Sequence, residues 1–324
     1  CTEASFHNAV KTVLAIGGST NACVHLPAMA GRLGITLPLS VWEQYNREIL
    51  VLANLMPAGT ALMEDFFFAG GLPALLKQIA PHLDTSCRNI TGGTLGDVIS
   101  NAEIFNADII RPLDNAVSKE AIAVVTGNLA PRGAVMKPSA ASPHLLKHTG
   151  PAIVFENFAD MQARIDSPDL DVSKDSVLVL KNVGPVGAPG MPEAGNLPIP
   201  KKLLEQGVRD MVRLSDARMS GTHYGTCVLH VCPESAVGGP LALVRNGDLI
   251  ALDVAARSIT LQVPVQELDR RHAEWQQAQQ AAPAARRYRR SYAALYQQHV
   301  TQADEGADFD FLQGAELLPE PTIF

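Results

Sequence analysis

Eight short apolar runs, separated by glycines and prolines, fill the second half of the chain. They are Ala121–Val125, Ala134–Met136, Ala152–Phe155, Ser176–Leu180, Thr226–Val231, Leu241–Val244, Leu249–Val254 and Ile259–Val263. Runs of this length, each bounded by turn residues, are typical of the strands of a β-sandwich or β-barrel. Asn246-Gly247, between two of the runs, predicts a hairpin. We therefore predict a β-barrel or sandwich domain over residues 116–324.

Residues 1–115 have a different pattern, with apolar residues at helical spacing. Predicted helices end at Gly17-Gly18, begin again after Ser19-Thr20-Asn21, and run over Val41–Leu52. Two more helices are predicted near the end of the chain, at 265–280 and 284–300. The first residues already have the helical pattern, so we expect residues upstream of Cys1.

The net charge of −7 and a pI near 5.7 argue against a nucleic-acid surface, which would concentrate Lys and Arg on one face. The basic cluster Arg286–Arg290 is interpreted as a solvated face or a subunit contact. No apolar stretch indicates a membrane segment. The acidic tail from Asp304 is expected to wrap the surface of this chain or of a neighbouring subunit.

The five cysteines are widely spaced and odd in number, which suits a reducing compartment such as the cytoplasm better than a disulfide framework. Cys227 and Cys232 lie five residues apart, and a closed metal site would need ligands that this spacing does not supply. We interpret both as small core residues.

A turn rich in small and hydroxyl residues precedes the run that ends at Val231. A rigid strand behind such a loop would hold Ser220 and Thr222 in position beside a ligand. A tight turn between two core strands explains the same residues without any function.

Two further segments have both a functional and a structural explanation. Ser19, Thr20 and Asn21 follow a glycine turn and precede a helix, where free N–H groups favour an anion, although the sequence by itself favours plain helix capping. Glu193 is the single acid of a loop rich in Gly and Pro, and its carboxylate would suit Mg²⁺. A helix cap or a surface carboxylate is the alternative for Glu193.

Motifs spread over nearly the whole chain resemble the dihydroxy-acid dehydratase and phosphogluconate dehydratase family. They are Gly17–Ala22, Ala69–Pro73, Gly127–Pro131, Gly190–Glu193, Asp216–Thr222, His230–Glu234 and Gly238–Pro240. Ala217-Arg218-Met219 and the ending Ala307–Phe311 look like the branch of this family that acts on sugar acids such as pentonates.

The resemblance implies the end of a helical α/β domain followed by a β-barrel domain that swivels over a cluster. It also implies a hydro-lyase that dehydrates an aldonate, such as L-arabinonate, to a 2-keto-3-deoxy acid. Ser220 matches the serine that removes the C2 proton as an alkoxide, and Glu193 matches a Mg²⁺ ligand. Thr222 and the turn of Ser19, Thr20 and Asn21 would face the substrate.

Family members use a [2Fe-2S] cluster and Mg²⁺, and take the cluster cysteines from a region that precedes the Gly17–Ala22 motif. The five cysteines here do not match those motifs. We therefore expect that these 324 residues alone bind no cluster and turn over no substrate. The full-length protein is expected to form homodimers or homotetramers. Dehydration of branched-chain dihydroxy acids, and a non-catalytic remnant, are the alternative functions.

Overall fold

The structure is a computed structural model that describes residues 1–220, 224–281, 288 and 290–314. Its helices are α1 Glu3–Ile16, α2 Ala22–Gly31, α3 Leu39–Asn46, α4 Met63–Phe68, α5 Gly71–Gln78, α6 Leu95–Ile99, α7 Phe158–Arg164, α8 Lys201–Glu205, α9 Val265–Ala281 and α10 Tyr292–His299. Its strands are β1 Ala123–Gly127, β2 Ala130–Met136, β3 Lys147–Phe155, β4 Val177–Leu180, β5 Arg213–Ser215, β6 Cys227–Cys232, β7 Leu249–Asp253 and β8 Ser258–Leu261.

The first six helices pack around a core that includes the fully buried side chains of Leu14, Trp42 and Leu75. Helix α1 begins after Thr2, whose side chain accepts a hydrogen bond from the Ser5 amide, and it ends at Gly17 in the left-handed conformation. This first part of the chain is helical as predicted, and isolated β-bridges join its loops.

The helix predicted over Val41–Leu52 is wrong in its second half. Helix α3 ends at Asn46, whose side-chain oxygen accepts a hydrogen bond from the Ala121 amide at 3.1 Å. Beyond it, Val51 and Ala53 form β-bridges to residues near the start of the barrel. The apolar residues after Asn46 are buried in extended backbone, and a short apolar run does not distinguish this from a helix.

The eight strands form a closed barrel in the order β1-β2-β6-β5-β4-β3-β7-β8. Strands β3, β4, β5 and β6 are mutually parallel neighbours, β1 pairs β8 in parallel, and the remaining neighbours are antiparallel. The barrel is filled by aliphatic side chains from all eight strands and their flanks. A mixed barrel is therefore the observed form of the predicted β domain.

Two details of the predicted strand list are wrong. Residues Pro240–Leu243 form a 3₁₀ turn, not a strand, so Asn246-Gly247 joins this turn to β7 and makes no hairpin. The Asn246 side chain instead accepts a hydrogen bond from the Val154 amide at 2.7 Å. Strand β5 was missed because it begins with a charged residue, Arg213, whose side chain is buried.

The barrel packs directly against the helical part. Val124, Val135 and Leu229 on its strands share one apolar cluster with the side chains of α1, α3 and α5. Lys137, after β2, donates a hydrogen bond to the Gly17 carbonyl at 2.6 Å. The contact surface between the two parts thus contains the glycine turn that precedes α2.

The described part of the tail folds back on this chain. Asp304 pairs with Arg132 on β2, and Asp308 pairs with Arg32 after α2. Helix α10 is the described part of the helix predicted over 284–300, while most of the basic cluster 286–290 lies outside the described residues.

Within the described ranges, no helix combines the length and hydropathy needed to cross a bilayer. The domain boundary near residue 116 stays a prediction.

Candidate active site

Three segments that are far apart in the sequence meet between α2 and the barrel. The Asn21 side-chain amide donates a hydrogen bond to the Glu193 carboxylate at 2.6 Å. The Arg218 side chain donates from Nε to the Met191 carbonyl at 2.6 Å, and its Nη1 lies 3.0 Å from His25 Nε2. Asn21, Glu193 and Arg218, which lies two residues before Ser220, therefore come close together in the fold.

The glycine turn shapes the first segment. Gly17 and Gly18 donate their amides back to the last turn of α1, and Ser19 Oγ accepts a hydrogen bond from the Asn21 amide at 3.2 Å. Thr20 is buried. Asn21 makes no side-chain capping bond to α2, and its side-chain oxygen is buried without a hydrogen-bond partner among the described residues. Capping therefore does not explain Asn21, which faces Glu193.

The second segment is the loop that leads to Glu193. Buried Glu234 accepts hydrogen bonds from the amides of Val186 and Gly187, both at 2.9 Å, and from the Gln302 side chain at 2.8 Å. These bonds fix the backbone of a loop that lacks regular structure. Glu193 itself is exposed and caps no helix, because α8 begins only at Lys201.

The third segment runs from β5 to β6 and contains Ser220. Asp216 is fully buried at its beginning and accepts hydrogen bonds from the Val183 amide at 3.0 Å and from the Ser235 amide at 2.9 Å. Met219 is buried between barrel and helices, and Ser220, next to it, is half-buried. Thr222 lies outside the described residues.

Asp210 anchors the far end of the same segment. Its carboxylate accepts hydrogen bonds from the Thr226 amide and hydroxyl, both at 2.8 Å, and from the Ser142 amide at 2.9 Å. It also pairs with buried Arg213 at 3.2 Å. The Ser220 segment is therefore fixed by a buried carboxylate at each end.

Burial controls the ionisation of the groups beneath the site. Burial, together with the charge of neighbouring Asp216, raises the pKa of Glu234 to about 7. Burial likewise raises the pKa of Asp216 above its usual value. Burial lowers the pKa of His230 to about 3, with a further contribution from Arg218, so this imidazole is neutral in the folded protein. Its Nε2 is buried without a partner among the described residues.

Two titratable groups near the site, His25 and Lys137, are not indicated by any sequence pattern. Burial and the positive charge of Arg218 lower the pKa of His25, while Glu193 opposes this shift. Burial lowers the pKa of Lys137 to about 8, beside the glycine turn. His25 and Lys137 are isolated in the sequence, and only the fold brings them to the site.

The five cysteines do not form a cluster site. Cys23, Cys227 and Cys232 are buried, Cys1 is exposed and Cys87 is half-buried. Burial raises the pKa of the Cys227 thiol to about 11, and raises that of Cys232, so both are protonated core residues rather than thiolate ligands. No three His, Cys, Asp or Glu side chains in the described part of the chain could hold a metal ion together. Cys227 and Cys232 are core residues, as predicted.

Comparison with known proteins identifies the family. The family model described as "Dihydroxy-acid/6-phosphogluconate dehydratase N-terminal" matches residues 1–98. The model described as "Dihydroxy-acid/6-phosphogluconate dehydratase C-terminal" matches residues 108–307. The chain belongs to the dihydroxy-acid/6-phosphogluconate dehydratase family. The motifs at the three converging segments, around Asn21, Glu193 and Ser220, are those by which the chain resembles this family.

Curated relatives from this dehydratase family align over nearly all of the chain. The chain is 56% identical to a 6-deoxy-6-sulfo-D-gluconate dehydratase of Pseudomonas putida over 99% of this chain and 55% of the relative. It is 51% identical to an L-arabinonate dehydratase of Rhizobium leguminosarum bv. trifolii, over 97% of this chain and 54% of the relative. The chain is 38% identical to a dihydroxy-acid dehydratase of Moorella thermoacetica, over 94% of this chain and 54% of the relative. The chain thus spans about half the length of these relatives.

Proposed function

We propose that the full-length gene product containing this chain is a hydro-lyase that converts a sugar acid to a 2-keto-3-deoxy acid. The observation that carries the proposal is the convergence of Asn21, Glu193 and the Ser220 segment at one site. The relatives named as acting on sugar acids, at 56% and 51% identity, favour an aldonate over a branched-chain acid, whose dehydratase is 38% identical.

In the proposed reaction Ser220, as an alkoxide, takes the proton from C2 of the substrate and returns it to the departing 3-hydroxyl, which leaves as water. The resulting enol takes a proton at C3 and becomes the 2-keto-3-deoxy acid. A serine is a weak base at its ordinary pKa, and nearby positive charge strengthens it. Lys137, which bonds the Gly17 carbonyl, and Arg218, two residues before Ser220, are cationic groups in contact with the segments of this site.

The family resemblance assigns Mg²⁺ and a [2Fe-2S] cluster to the reaction. Exposed Glu193 fits a Mg²⁺ ligand, because it offers a carboxylate beside an amide and makes no ion pair among the described residues. When bound, Mg²⁺ would polarise the oxygens of the substrate. The cysteines of this chain do not fit the cluster, so no step is assigned to it here. Swivelling of the barrel domain, homo-oligomerisation of the full-length protein and a cytoplasmic location belong to the same proposal.

The test is 2-keto acid formation by the full-length gene product, reconstituted with iron, sulfide and Mg²⁺. Substrates are a panel of pentonates, hexonates and 6-deoxy-6-sulfo-D-gluconate, with 2,3-dihydroxyisovalerate for comparison. We expect turnover of a sugar acid, and a loss of about 10²- to 10⁴-fold in kcat for Ser220→Ala, the range that a proton-transfer residue contributes.

Ser167→Ala is the matched control, because Ser167 follows α7, away from the Ser220 segment, and its hydroxyl accepts a hydrogen bond from the Asp169 amide. Its kcat should equal that of the wild type. Turnover of 2,3-dihydroxyisovalerate alone would assign the protein to the branched-chain substrate. Absence of any turnover would support a non-catalytic remnant.

A further inference from the structure

Arg218 makes contact on both sides of Glu193. Its side-chain Nε donates to the Met191 carbonyl at 2.6 Å, two residues before Glu193. Its backbone carbonyl accepts a hydrogen bond from the Gly195 amide at 2.9 Å, two residues after Glu193. The backbone that carries the Glu193 carboxylate is therefore held from both sides by one residue, which itself lies two positions before Ser220.

Met191 shows why this contact is needed. It is buried, and its φ of +43° is a left-handed conformation that non-glycine residues rarely adopt. Such a conformation costs about 1 kcal/mol or more and persists only where the surroundings enforce it. The hydrogen bond from Arg218 to the Met191 carbonyl is one such constraint. Without it, the loop that carries Glu193 would have lower-energy conformations available.

His25, on α2, connects Arg218 to the turn that contains Asn21. The His25 amide donates to the Asn21 carbonyl at 3.0 Å, so the two side chains lie one helical turn apart. Asn21 holds Glu193, and His25 Nε2 lies 3.0 Å from Arg218 Nη1. Helix α2 with the turn before it, the Glu193 loop and the Ser220 segment are thus connected in a ring, and Arg218, on the Ser220 segment, contacts both α2 and the Glu193 loop.

From this ring we infer that Arg218, supported by His25, is a positioning residue that fixes Glu193 relative to Ser220. The inference rests on the proposed function, in which these two side chains act on one substrate. A planar guanidinium suits this role because Nε and Nη1 donate in two fixed directions, whereas a lysine ammonium donates from a single nitrogen. In this inference Arg218 makes no contact with the substrate.

Steady-state kinetics of the full-length, reconstituted gene product test the inference. A misplacement of catalytic groups by about 1 Å costs on the order of 100-fold in rate. For Arg218→Met we expect a fall of about this size in kcat, with KM changed less than about threefold because no substrate contact is removed. The kcat of Arg218→Lys should be at least about tenfold below that of the wild type, since lysine retains the charge but only one of the two contacts. Added methylguanidinium should restore part of the kcat of Arg218→Ala, in which the space of the side chain is open.

His25 provides the conservative comparison. His25→Gln keeps an acceptor that Arg218 Nη1 can reach, and should retain kcat within about threefold of the wild type, whereas His25→Leu should lose about tenfold. In the double variant with Arg218→Met, the His25→Leu loss should disappear, because the two residues act through one contact. Equal losses for Gln and Leu, or additive losses in the double variant, would overturn the inference.

A second readout needs no substrate and therefore separates this inference from the proposed function. Amide hydrogen exchange of residues 190–195 and 216–220 should accelerate in Arg218→Met, with the rest of the barrel unchanged. Arg164→Met is the matched control, because Arg164 on α7 also bonds a carbonyl and its loss should leave both segments unchanged. If the wild type turns over no sugar acid, the proposed function fails while the exchange result still decides the positioning role. Unchanged exchange in Arg218→Met, or a loss confined to KM, would refute it.

Discussion

Replacing Asp210 by asparagine should destabilise the fold more than the same replacement of an exposed aspartate, because Asp210 anchors the Ser220 segment from the interior. The Asp210 side chain is 2% exposed and pairs with Arg213, whose side chain is 5% exposed. One carboxylate oxygen accepts from the amides of Met211 and Thr226 and from Arg213, and the other accepts from the Ser142 amide and the Thr226 hydroxyl. An asparagine NH₂ in either position must face at least one donor that cannot accept, because only the Thr226 hydroxyl can rotate to accept from it.

The magnitude follows from the burial of the pair. Removing one partner of a buried ion pair costs about 3–5 kcal/mol, because the other charge stays in the interior. Arg213 retains hydrogen bonds to the carbonyls of Leu197 and Tyr224, which places the expected loss near the lower end. We expect Asp210→Asn to lower the free energy of unfolding by about 3 kcal/mol. The exposed Asp171→Asn should change it by less than about 0.5 kcal/mol.

Urea unfolding at several pH values is the assay. Burial opposes ionisation of Asp210, but the hydrogen bonds from Thr226 and Ser142 and the charge of Arg213 hold its pKa below the usual value of 3.8. A lowered pKa stabilises the fold above the unfolded-state pKa, and this contribution is lost as pH falls through the folded-state pKa. The difference between wild type and Asp210→Asn should therefore be largest at neutral pH and shrink below about pH 3.8. A difference under about 1 kcal/mol at pH 7 would refute the reasoning.

Two further predictions concern buried titratable groups. The pKa of Lys137 is lowered from 10.5 to about 8, so the folded protein binds fewer protons than the unfolded chain between these values. Stability should rise by about 3 kcal/mol over this interval, and Lys137→Met should abolish the rise in a urea titration. The pKa of Glu234 is raised from 4.5 to about 7, so stability should fall by a similar ~3 kcal/mol as pH rises through that interval. Glu234→Gln should flatten this dependence; an unchanged slope would show that Glu234 is ionised in the fold at pH 5.

The strands and the site were predictable to different degrees. Apolar runs between turn residues located β1, β4 and β6, because buried strands have a compositional signal that needs no knowledge of their neighbours. The same signal failed at Leu241–Val244, where a proline starts a 3₁₀ turn. It also failed at Arg213, where a buried ion pair replaces apolar burial.

Motifs pointed to Asn21, Glu193 and Ser220 individually, but only the fold shows that Asn21 contacts Glu193 and that Arg218, two residues before Ser220, contacts His25. The contact between Asn21 and Glu193 joins positions 172 residues apart, and that between His25 and Arg218 spans 193 residues. No local pattern specifies such pairs. The burial of the anchors Asp210 and Asp216 could not be predicted for a related reason, because an aspartate is ordinarily expected at the surface.

The reaction carried out in D₂O by the full-length gene product tests the central claim most directly. If Ser220 takes the C2 proton and the 3-hydroxyl leaves, the enol must be protonated at C3 from solvent. Proton NMR should then show a 2-keto-3-deoxy acid with one deuterium at C3 from wild type, and no product on the same timescale from Ser220→Ala. A product without deuterium at C3, or equal product from Ser220→Ala, would contradict the account.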